Sequence, residues 1–245
     1  RPAFLRPVPP RPEQHDGAEA PDALGAVRAM GEAESGHTGN QLHGGIGPDV
    51  LPNGEAGELP VRDNRDEEIQ RYIELYKSPK YGMGARRQAD VKRILKDLRR
   101  GSLLDVSTGR GETLRFAKEL GFSPVLGTEV VPDLLNDEVV FAQAHSLPFP
   151  DNSFDHVTCF DVLEHLVEAD IRPALREMYR VARISVTVSA SERPSVFGDV
   201  DLHISKRPAP EWHRLIRECW DKNTKRIGKA GGSPAFQVIK YGPVV

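Results

Sequence analysis

A chain of 245 residues with 38% apolar content is long enough for one sizeable α/β domain and additional segments. Its 33 basic and 36 acidic residues give a formal net charge of −3, which excludes the overall positive charge typical of nucleic-acid-binding proteins. The two cysteines lack CxxC spacing, so they predict neither a disulfide framework nor a metal site. The chain also lacks the apolar run of about 20 residues that a membrane helix needs, and a signal-peptide core, so we expect a cytoplasmic protein without membrane contact.

Residues 1–60 have the composition of a flexible arm. Glycine and proline supply 19 of these 60 positions, and Phe4 is the only aromatic residue among them. Because such a segment buries too little apolar surface to offset its ordering entropy, we predict a disordered or extended arm that precedes a domain over residues 61–245. The alternative is an arm that becomes ordered on a protein partner. Its histidines, His37 and His43, are interpreted as solvated residues.

Two helices are predicted to open the domain as a lid over residues 63–100. In the first, apolar positions recur at spacings of four and three from Ile69 to Tyr76, and Ser78-Pro79 ends the helix. The tyrosines of this helix are interpreted as packing residues. Tyr81, in the loop that follows, is the candidate for an aromatic lid residue.

The second helix is predicted from about residue 85 to residue 99, with Gly101 as its stop. One face is apolar and carries Val91, Ile94, Leu95 and Leu98. The region is otherwise basic, with Arg86, Arg87, Lys92, Arg93, Lys96, Arg99 and Arg100. We interpret these charges as a solvated helix face, and the alternative is a surface for an anionic acceptor or a polynucleotide.

From residue 101 to residue 190, strand-like runs alternate with helical segments. The strand-like runs are SLLDVS, PVLGTEV, EVVFAQA, DHVTCFDVL and RISVTVSA, and the helical ones are GETLRFAKELG and DIRPALREMYRVA. Such alternation predicts a Rossmann-like, doubly wound α/β fold, with a mostly parallel sheet and helices on both faces. Residues 191–245 are predicted to close the domain on its substrate side, with a helix in EWHRLIRECW and a last strand in AFQVIKY.

Two features at the ends of the first strands favour a ligand site. The stretch from Asp105 to Gly111, DVSTGRG, follows a strand and opens a helix, so its glycines permit a close backbone approach to a ligand. Glu129 ends the next strand, where a carboxylate can accept the ribose hydroxyls of a nucleoside. Each feature alone also fits a plainer interpretation, a tight turn and a solvated glutamate.

A third segment separates the cofactor types. It comprises FAQAHSLPFPDNSFD from Phe141 to Asp155 and CFDVLEHL from Cys159 to Leu166. With the glycine loop, these strings resemble the class I S-adenosylmethionine-dependent methyltransferases, in particular the "type 11" branch of small-molecule and quinone methyltransferases. The resemblance covers about residues 80–190 and implies S-adenosyl-L-methionine as the cofactor.

The resemblance implies roles for the glycine loop. Asp105 would lie under the cofactor and order the loop, while Gly109 and Gly111 would let the backbone pass close to its amino-acid end. Ser107 stands where the family usually has the first glycine. A serine fits there only if its backbone stays at negative φ, so we expect a somewhat reshaped loop.

The resemblance also assigns the remaining cofactor contacts. Glu129 would bind the ribose hydroxyls, Gln143 and Ala144 would lie beside the adenine, and Phe160 and Asp161 would border the methionine moiety. Gln143 replaces a frequent aspartate, so its carbonyl would accept the adenine amino group without charge assistance. Asp155 is expected to be structural.

The expected function is methyl transfer to an unidentified acceptor, either a small molecule or a polymer-attached group. His165 is the candidate general base, although an orienting or packing role is the favoured interpretation, and His203 is a weaker candidate. Glu164 is expected to cap the following helix or to orient the loop. Nucleic-acid acceptors are disfavoured because Cys-Phe-Asp-Val stands where amino-methyltransferases of nucleic acids usually have Asn/Asp-Pro-Pro-aromatic. The alternative is a non-catalytic, methyltransferase-like module, motivated by Ser107 and Gln143.

Overall fold

The computed structural model describes residues 65–197 and 200–240. The predicted arm over residues 1–60 lies outside the described residues, so its conformation and its suggested protein partner stay predictions. Within the described part, no helix is both long enough and apolar enough to cross a bilayer.

Seven strands form the central sheet, and two more form a small separate ribbon. The sheet strands are β1 Leu103–Val106, β2 Val125–Glu129, β3 Val139–Phe141, β4 Phe154–Phe160, β5 Ala182–Ser189, β8 Lys225–Ala230 and β9 Ser233–Ile239. The ribbon pairs β6 Val196–Phe197 with β7 Val200–Asp201. The sheet order is β3-β2-β1-β4-β5-β9-β8. The first five strands are parallel to one another. Strand β9 pairs antiparallel with both of its neighbours, β5 and β8. The predicted mostly parallel sheet is confirmed.

Five α-helices and two short 3-10 turns accompany these strands in the described part of the chain. The helices are α1 Arg65–Tyr76, α2 Ala85–Lys96, α3 Glu112–Glu119, α4 Glu168–Val181 and α5 Ala209–Cys219, and the 3-10 turns are Pro132–Leu134 and Leu163–His165. Gly121 ends α3 as predicted: it adopts φ +87°, and its N–H donates to the Lys118 carbonyl over 2.9 Å.

The sheet is buried on both faces because successive side chains point to opposite sides of it. Leu104 packs into a cluster with α4 and α5, whereas its neighbour Leu103 packs into a second cluster with α2 and α3. The same alternation separates Leu126 from Val125 on the next strand. Helices therefore cover both faces, which confirms the doubly wound arrangement.

Two boundary predictions are corrected. Helix α2 ends at Lys96, where the N–H groups of Asp97 and Leu98 donate back to the carbonyls of the last turn, so Gly101 is not its stop. A glycine is needed at position 101 for a different reason: a Cβ there would collide with the Asp155 carboxylate. That carboxylate accepts the Ser102 N–H over 3.0 Å and contacts the Arg183 guanidinium, which is the structural role expected of Asp155.

Candidate functional site

The loop after β1 reverses its direction through three left-handed residues. Ser107, Gly109 and Gly111 have φ values of +56°, +58° and +77°. The expectation that Ser107 stays at negative φ is therefore wrong. Its backbone is held there by neighbours on β2, since the Ser107 N–H donates to the Thr128 hydroxyl oxygen over 3.3 Å. A non-glycine residue in this region carries strain that the surrounding contacts must offset.

Glu129 ends β2 with its carboxylate buried and turned toward this loop. Oε2 accepts the Gly109 N–H and Oε1 accepts the Val130 N–H, both over 2.8 Å, and the Val131 N–H lies 3.3 Å from Oε1. Burial raises the pKa of Glu129, while these N–H groups act in the opposite direction. A carboxylate offers about four acceptor sites, so three backbone donors leave room for one more donor from a ligand.

Asp105 lies beneath the loop at the end of β1. Its side chain is buried, and Oδ1 accepts the Thr158 hydroxyl of the adjacent strand over 2.6 Å. Burial raises the pKa of Asp105 to about 6, although the Thr158 hydrogen bond acts to lower it. Burial of the charged form of Asp105 at the carboxyl edge of β1 therefore costs desolvation free energy.

Helix α1 covers the loop through Tyr76. A Cβ added to Gly109 would lie 2.5 Å from the Tyr76 hydroxyl oxygen, so the tyrosine fills the space above this glycine. Arg110 fixes the arrangement because its guanidinium donates to the carbonyls of Tyr76, Ser78 and Tyr81 over 2.9–3.0 Å. The loop and the end of α1 are thus joined directly.

Two adjoining cavities open at this edge of the sheet. The first has a volume of about 120 Å³, and its lining includes Tyr72, Tyr76, Ser107, Glu129, Gln143, Ala144 and His165. The second has a volume of about 430 Å³, and its lining includes Tyr76, Tyr81, Arg87, Ser107, Gly109, Phe160, His165 and His203. The fold therefore brings seven of the ten predicted site residues to these cavities: Ser107, Gly109, Glu129, Gln143, Ala144, Phe160 and His165.

Three predicted site residues do not line these two cavities. Asp105 is beneath the loop, and Gly111 faces a different depression beside α3. Asp161 follows β4 with a left-handed φ of +55°, and its Oδ1 accepts the Ser189 hydroxyl over 2.6 Å. Its other oxygen contacts the Arg87 guanidinium, so Arg87 does not belong to a freely solvated basic face.

His165 closes the 3-10 turn after β4 and is held by two elements. Its Nδ1 lies 2.8 Å from the Leu202 carbonyl and contacts the Tyr72 hydroxyl. Burial, with a further contribution from His203, lowers the pKa of His165 to about 3. A general base works best with a pKa near the working pH, so this environment disfavours the predicted base role and agrees with an oriented, neutral imidazole.

Glu164 does not cap the helix that follows. The residue before α4 is Val167, which makes no side-chain capping bond. Instead, the fully buried Glu164 accepts the Ser191 N–H over 2.8 Å and so ties the turn to the segment after β5. Of the two roles expected for Glu164, the structure supports loop orientation.

The LPFPDNSFD string proves to be a folding motif. Leu147, Phe149 and Phe154 are buried, and the two phenylalanine rings pack edge to face with centroids 5.0 Å apart. Asn152 makes the turn at φ +56°. This part of the sequence resemblance therefore stabilises the entry into β4.

Sequence reasoning missed the helical tyrosines and Arg87. Tyr72 and Tyr76 were interpreted as packing residues, yet both line the first cavity, and Tyr81 packs edge to face on Tyr76 with centroids 5.0 Å apart. The spacing of four between Tyr72 and Tyr76 places them on one helix face, which was the available signal. Asp161, the partner of Arg87, lies 74 positions away in sequence, so no local pattern indicated their contact.

Known proteins resemble this chain in its central part. Residues 104–188 match the family model described as a methyltransferase domain. A demethylmenaquinone methyltransferase of Roseiflexus sp. (strain RS-1) is 34% identical over 103 residues, which are 38% of this chain and 42% of the relative. That of Listeria welshimeri is 38% identical over 97 residues, which are 34% of this chain and 40% of the relative. The chain thus spans about two fifths of the length of these curated relatives.

Solved structures share the fold over a longer stretch. The 1,6-didemethyltoxoflavin-N1-methyltransferase of Burkholderia thailandensis, with its substrate and S-adenosylhomocysteine bound, is 16% identical, covers 77% of this chain and 94% of its own, and has a TM-score of 0.57. The sugar N-methyltransferase KedS8 of Streptoalloteichus sp. ATCC 53650 is 17% identical, covers 82% of this chain and 100% of its own, and has a TM-score of 0.52. Residues 104–188 of this chain are therefore similar to a methyltransferase domain, and the fold around them is shared with solved methyltransferase structures.

Proposed function

We propose that residues 61–245 form one domain that binds S-adenosyl-L-methionine and transfers its methyl group to a small-molecule or polymer-attached acceptor. The observation that carries this proposal is the buried Glu129 carboxylate, which faces the first cavity beside the left-handed loop and retains one acceptor site. Ribose hydroxyls are donors that suit such a site.

The cofactor's two ends fit the two cavities. The adenosine would occupy the first, with its ribose on Glu129 and its adenine beside Gln143 and Ala144, and the methionine moiety would pass Gly109 toward Phe160 in the second. The bound sulfonium supplies an activated methyl group. The chain's own task is to hold an acceptor in line with that methyl and to exclude water, which is catalysis by proximity and orientation.

Tyr72, Tyr76 and Tyr81 are proposed to form the lid. All three lie against the cavities, and Arg110 joins the backbone of Tyr76 and Tyr81 to the cofactor loop. In this proposal the end of α1 must shift when the methionine moiety reaches Gly109, because the Tyr76 hydroxyl now fills that space. Ligand binding and lid position would therefore be coupled.

The acceptor is proposed to be a small molecule or a small group on a polymer. The second cavity is open and has a volume of about 430 Å³, which lies within the range of ligand sites. The relatives named above are described as methyltransferases of demethylmenaquinone, of a toxoflavin precursor and of a sugar. These descriptions support the acceptor class without fixing the atom that is methylated.

Calorimetry with S-adenosylhomocysteine tests the cofactor site. Glu129→Gln keeps the side chain's size but removes its charge and one acceptor oxygen, so we expect binding to weaken by about 1.5–3 kcal/mol, or about 10- to 150-fold. Glu138→Gln, at an exposed glutamate that pairs with Lys118 on the surface, is the matched control and should bind normally. Equal affinities for a folded Glu129→Gln and its control would remove Glu129 from the site.

One observation favours a second candidate, the non-catalytic module. The Tyr76 hydroxyl stands in the space above Gly109 that the methionine moiety would need. If α1 is fixed there, the domain retains the fold without the cofactor. Absence of S-adenosylhomocysteine binding in the parent protein, together with binding in Tyr76→Ala, would favour this candidate.

A further inference from the structure

Two histidines and a glutamate meet beside the second cavity. One ligand atom from each of Glu164, His165 and His203 lies within 4.8 Å of the other two, and the histidine rings are 4.6 Å apart between centroids. His165 and His203 also line the cavity itself. The sequence predicted no metal site, because these residues come from two segments that are 38 positions apart.

The hydrogen bonds around the histidines leave lone pairs available. Nδ1 of His165 lies 2.8 Å from the Leu202 carbonyl, and Nδ1 of His203 contacts the Arg193 carbonyl. A carbonyl only accepts, so a proton on each Nδ1 satisfies both carbonyls and leaves a lone pair on each Nε2. At His165 the Tyr72 hydroxyl also contacts Nδ1, and in this tautomer its oxygen accepts from the same N–H. Metal-binding histidines are typically oriented in this way, with the non-ligating N–H donated to a backbone carbonyl.

One carboxylate oxygen of Glu164 has no hydrogen-bond donor. Its Oε1 accepts the Ser191 N–H, whereas the buried Oε2 has no hydrogen-bond partner, and the His203 Nε2 lone pair lies only 4.0 Å from Oε1. A proton or a cation placed between the His203 lone pair and the Glu164 carboxylate would satisfy both groups.

We propose that Glu164, His165 and His203 bind a divalent first-row transition cation such as Zn²⁺, Mn²⁺ or Co²⁺. Two imidazoles and one carboxylate suit these ions better than Mg²⁺ or Ca²⁺, which prefer oxygen ligands. Ligands about 2.1 Å from a tetrahedral ion are about 3.4 Å apart, so the side chains must close by about 1 Å on binding. Because His165 and His203 line the second cavity, the remaining coordination positions would lie on the side of that cavity.

The open positions suggest what the cation would do. This part of the inference rests on the proposed function, since the second cavity is the proposed acceptor side. An acceptor with an oxygen ligand, such as a hydroxyl or a vicinal diol, would be anchored on the cation and would lose its proton more readily.

Titration with Co²⁺ and Zn²⁺ tests the site in the full chain, purified without a polyhistidine tag and stripped with a chelator. We expect one cation per chain, with the visible absorption of cobalt bound to nitrogen ligands. His203→Asn should bind at least about 100-fold more weakly, because it can keep the donor to the Arg193 carbonyl but lacks the Nε2 lone pair. Glu164→Gln is the second variant and should also lose affinity.

The control is His213→Gln. His213 lies on α5, where its Nε2 donates to the Thr224 carbonyl, and a glutamine amide can replace that donor. Parent-like cobalt affinity in His203→Asn, or no stoichiometric binding by the parent chain, would overturn the proposal. S-adenosylhomocysteine binding, measured on the same samples, fails or succeeds independently and so reports separately on the proposed function.

Discussion

Replacing Gly109 by alanine separates backbone strain from steric conflict at the cofactor loop. Gly109 and Gly121 both have left-handed backbones, at φ +58° and +87°, and alanine costs about 1–2 kcal/mol in that region. Around Gly121 a Cβ would meet nothing within 4 Å, whereas at Gly109 it would lie 2.5 Å from the Tyr76 hydroxyl. Overpacking adds about 1–3 kcal/mol, so Gly109→Ala should lose about 2–5 kcal/mol and Gly121→Ala about 1–2 kcal/mol.

Tyr76→Phe relieves the conflict and completes a double-mutant cycle. Without the hydroxyl, the nearest atom of the Tyr76 ring would be 3.5 Å from the new Cβ, an ordinary van der Waals contact. The double variant should therefore recover about 1–3 kcal/mol relative to Gly109→Ala after the effect of Tyr76→Phe alone is subtracted. Urea unfolding followed by tryptophan fluorescence measures all four proteins. A coupling energy near zero would refute the placement of Tyr76 over the loop.

Three further predictions concern the same edge of the sheet and the core behind it. Arg110→Ala should release the end of α1, which hydrogen exchange would detect as faster exchange there with little change in α4. Native-state alkylation should modify Cys219 before Cys159, because Cys159 is fully buried and burial raises the pKa of its thiol well above the usual range; equal rates would contradict this. Asp105 has its pKa raised to about 6 from 3.8, so the folded state binds this proton more tightly than the unfolded chain and parent stability falls as pH rises through that window. Asp105→Asn should remove this pH dependence and raise the free energy of unfolding by about 3 kcal/mol above pH 6. The measurement is the free energy of unfolding of the parent and of the variant as a function of pH. The two curves should diverge between about pH 4 and pH 6, and parallel curves would contradict the prediction.

The sequence predicts those parts of the fold in which local pattern and tertiary environment agree. Strands β1, β2 and β4 are buried at every position, and apolar residues at their starts or along their length make them recognisable. Gly121 marks the end of α3 because a left-handed residue is needed there. Strand β8 was missed for the opposite reason. It lies at the edge of the sheet, its sequence KRIGKA is mostly polar, and only Ala230 is buried, so it shows neither alternation nor an apolar run.

The candidate site also has parts that the local sequence predicts and parts that depend on distant contacts. Glu129 and Gly109 stand at the ends of predicted elements, so their proximity follows from the parallel sheet. The left-handed backbone of Ser107 does not follow, because contacts with β2 stabilise a conformation that serine alone disfavours. The contacts of Tyr76 with the loop and of His203 with Glu164 join segments far apart in sequence, and no local pattern encodes them.

The carboxyl edge of the sheet concentrates carboxyl groups in a buried place. Asp105, Glu129, Asp161 and Glu164 end β1 and β2 or follow β4, all four are buried, and burial raises the pKa of three of them: Asp105, Glu129 and Glu164. Asp161 is compensated by Arg87, whereas the others rely on hydrogen bonds from backbone and hydroxyl groups. Such an arrangement lowers the stability of the empty domain and favours cationic ligands. A sulfonium at the loop and a divalent cation at the histidines would each relieve part of that cost, so the two proposed ligands draw on one electrostatic feature of the fold.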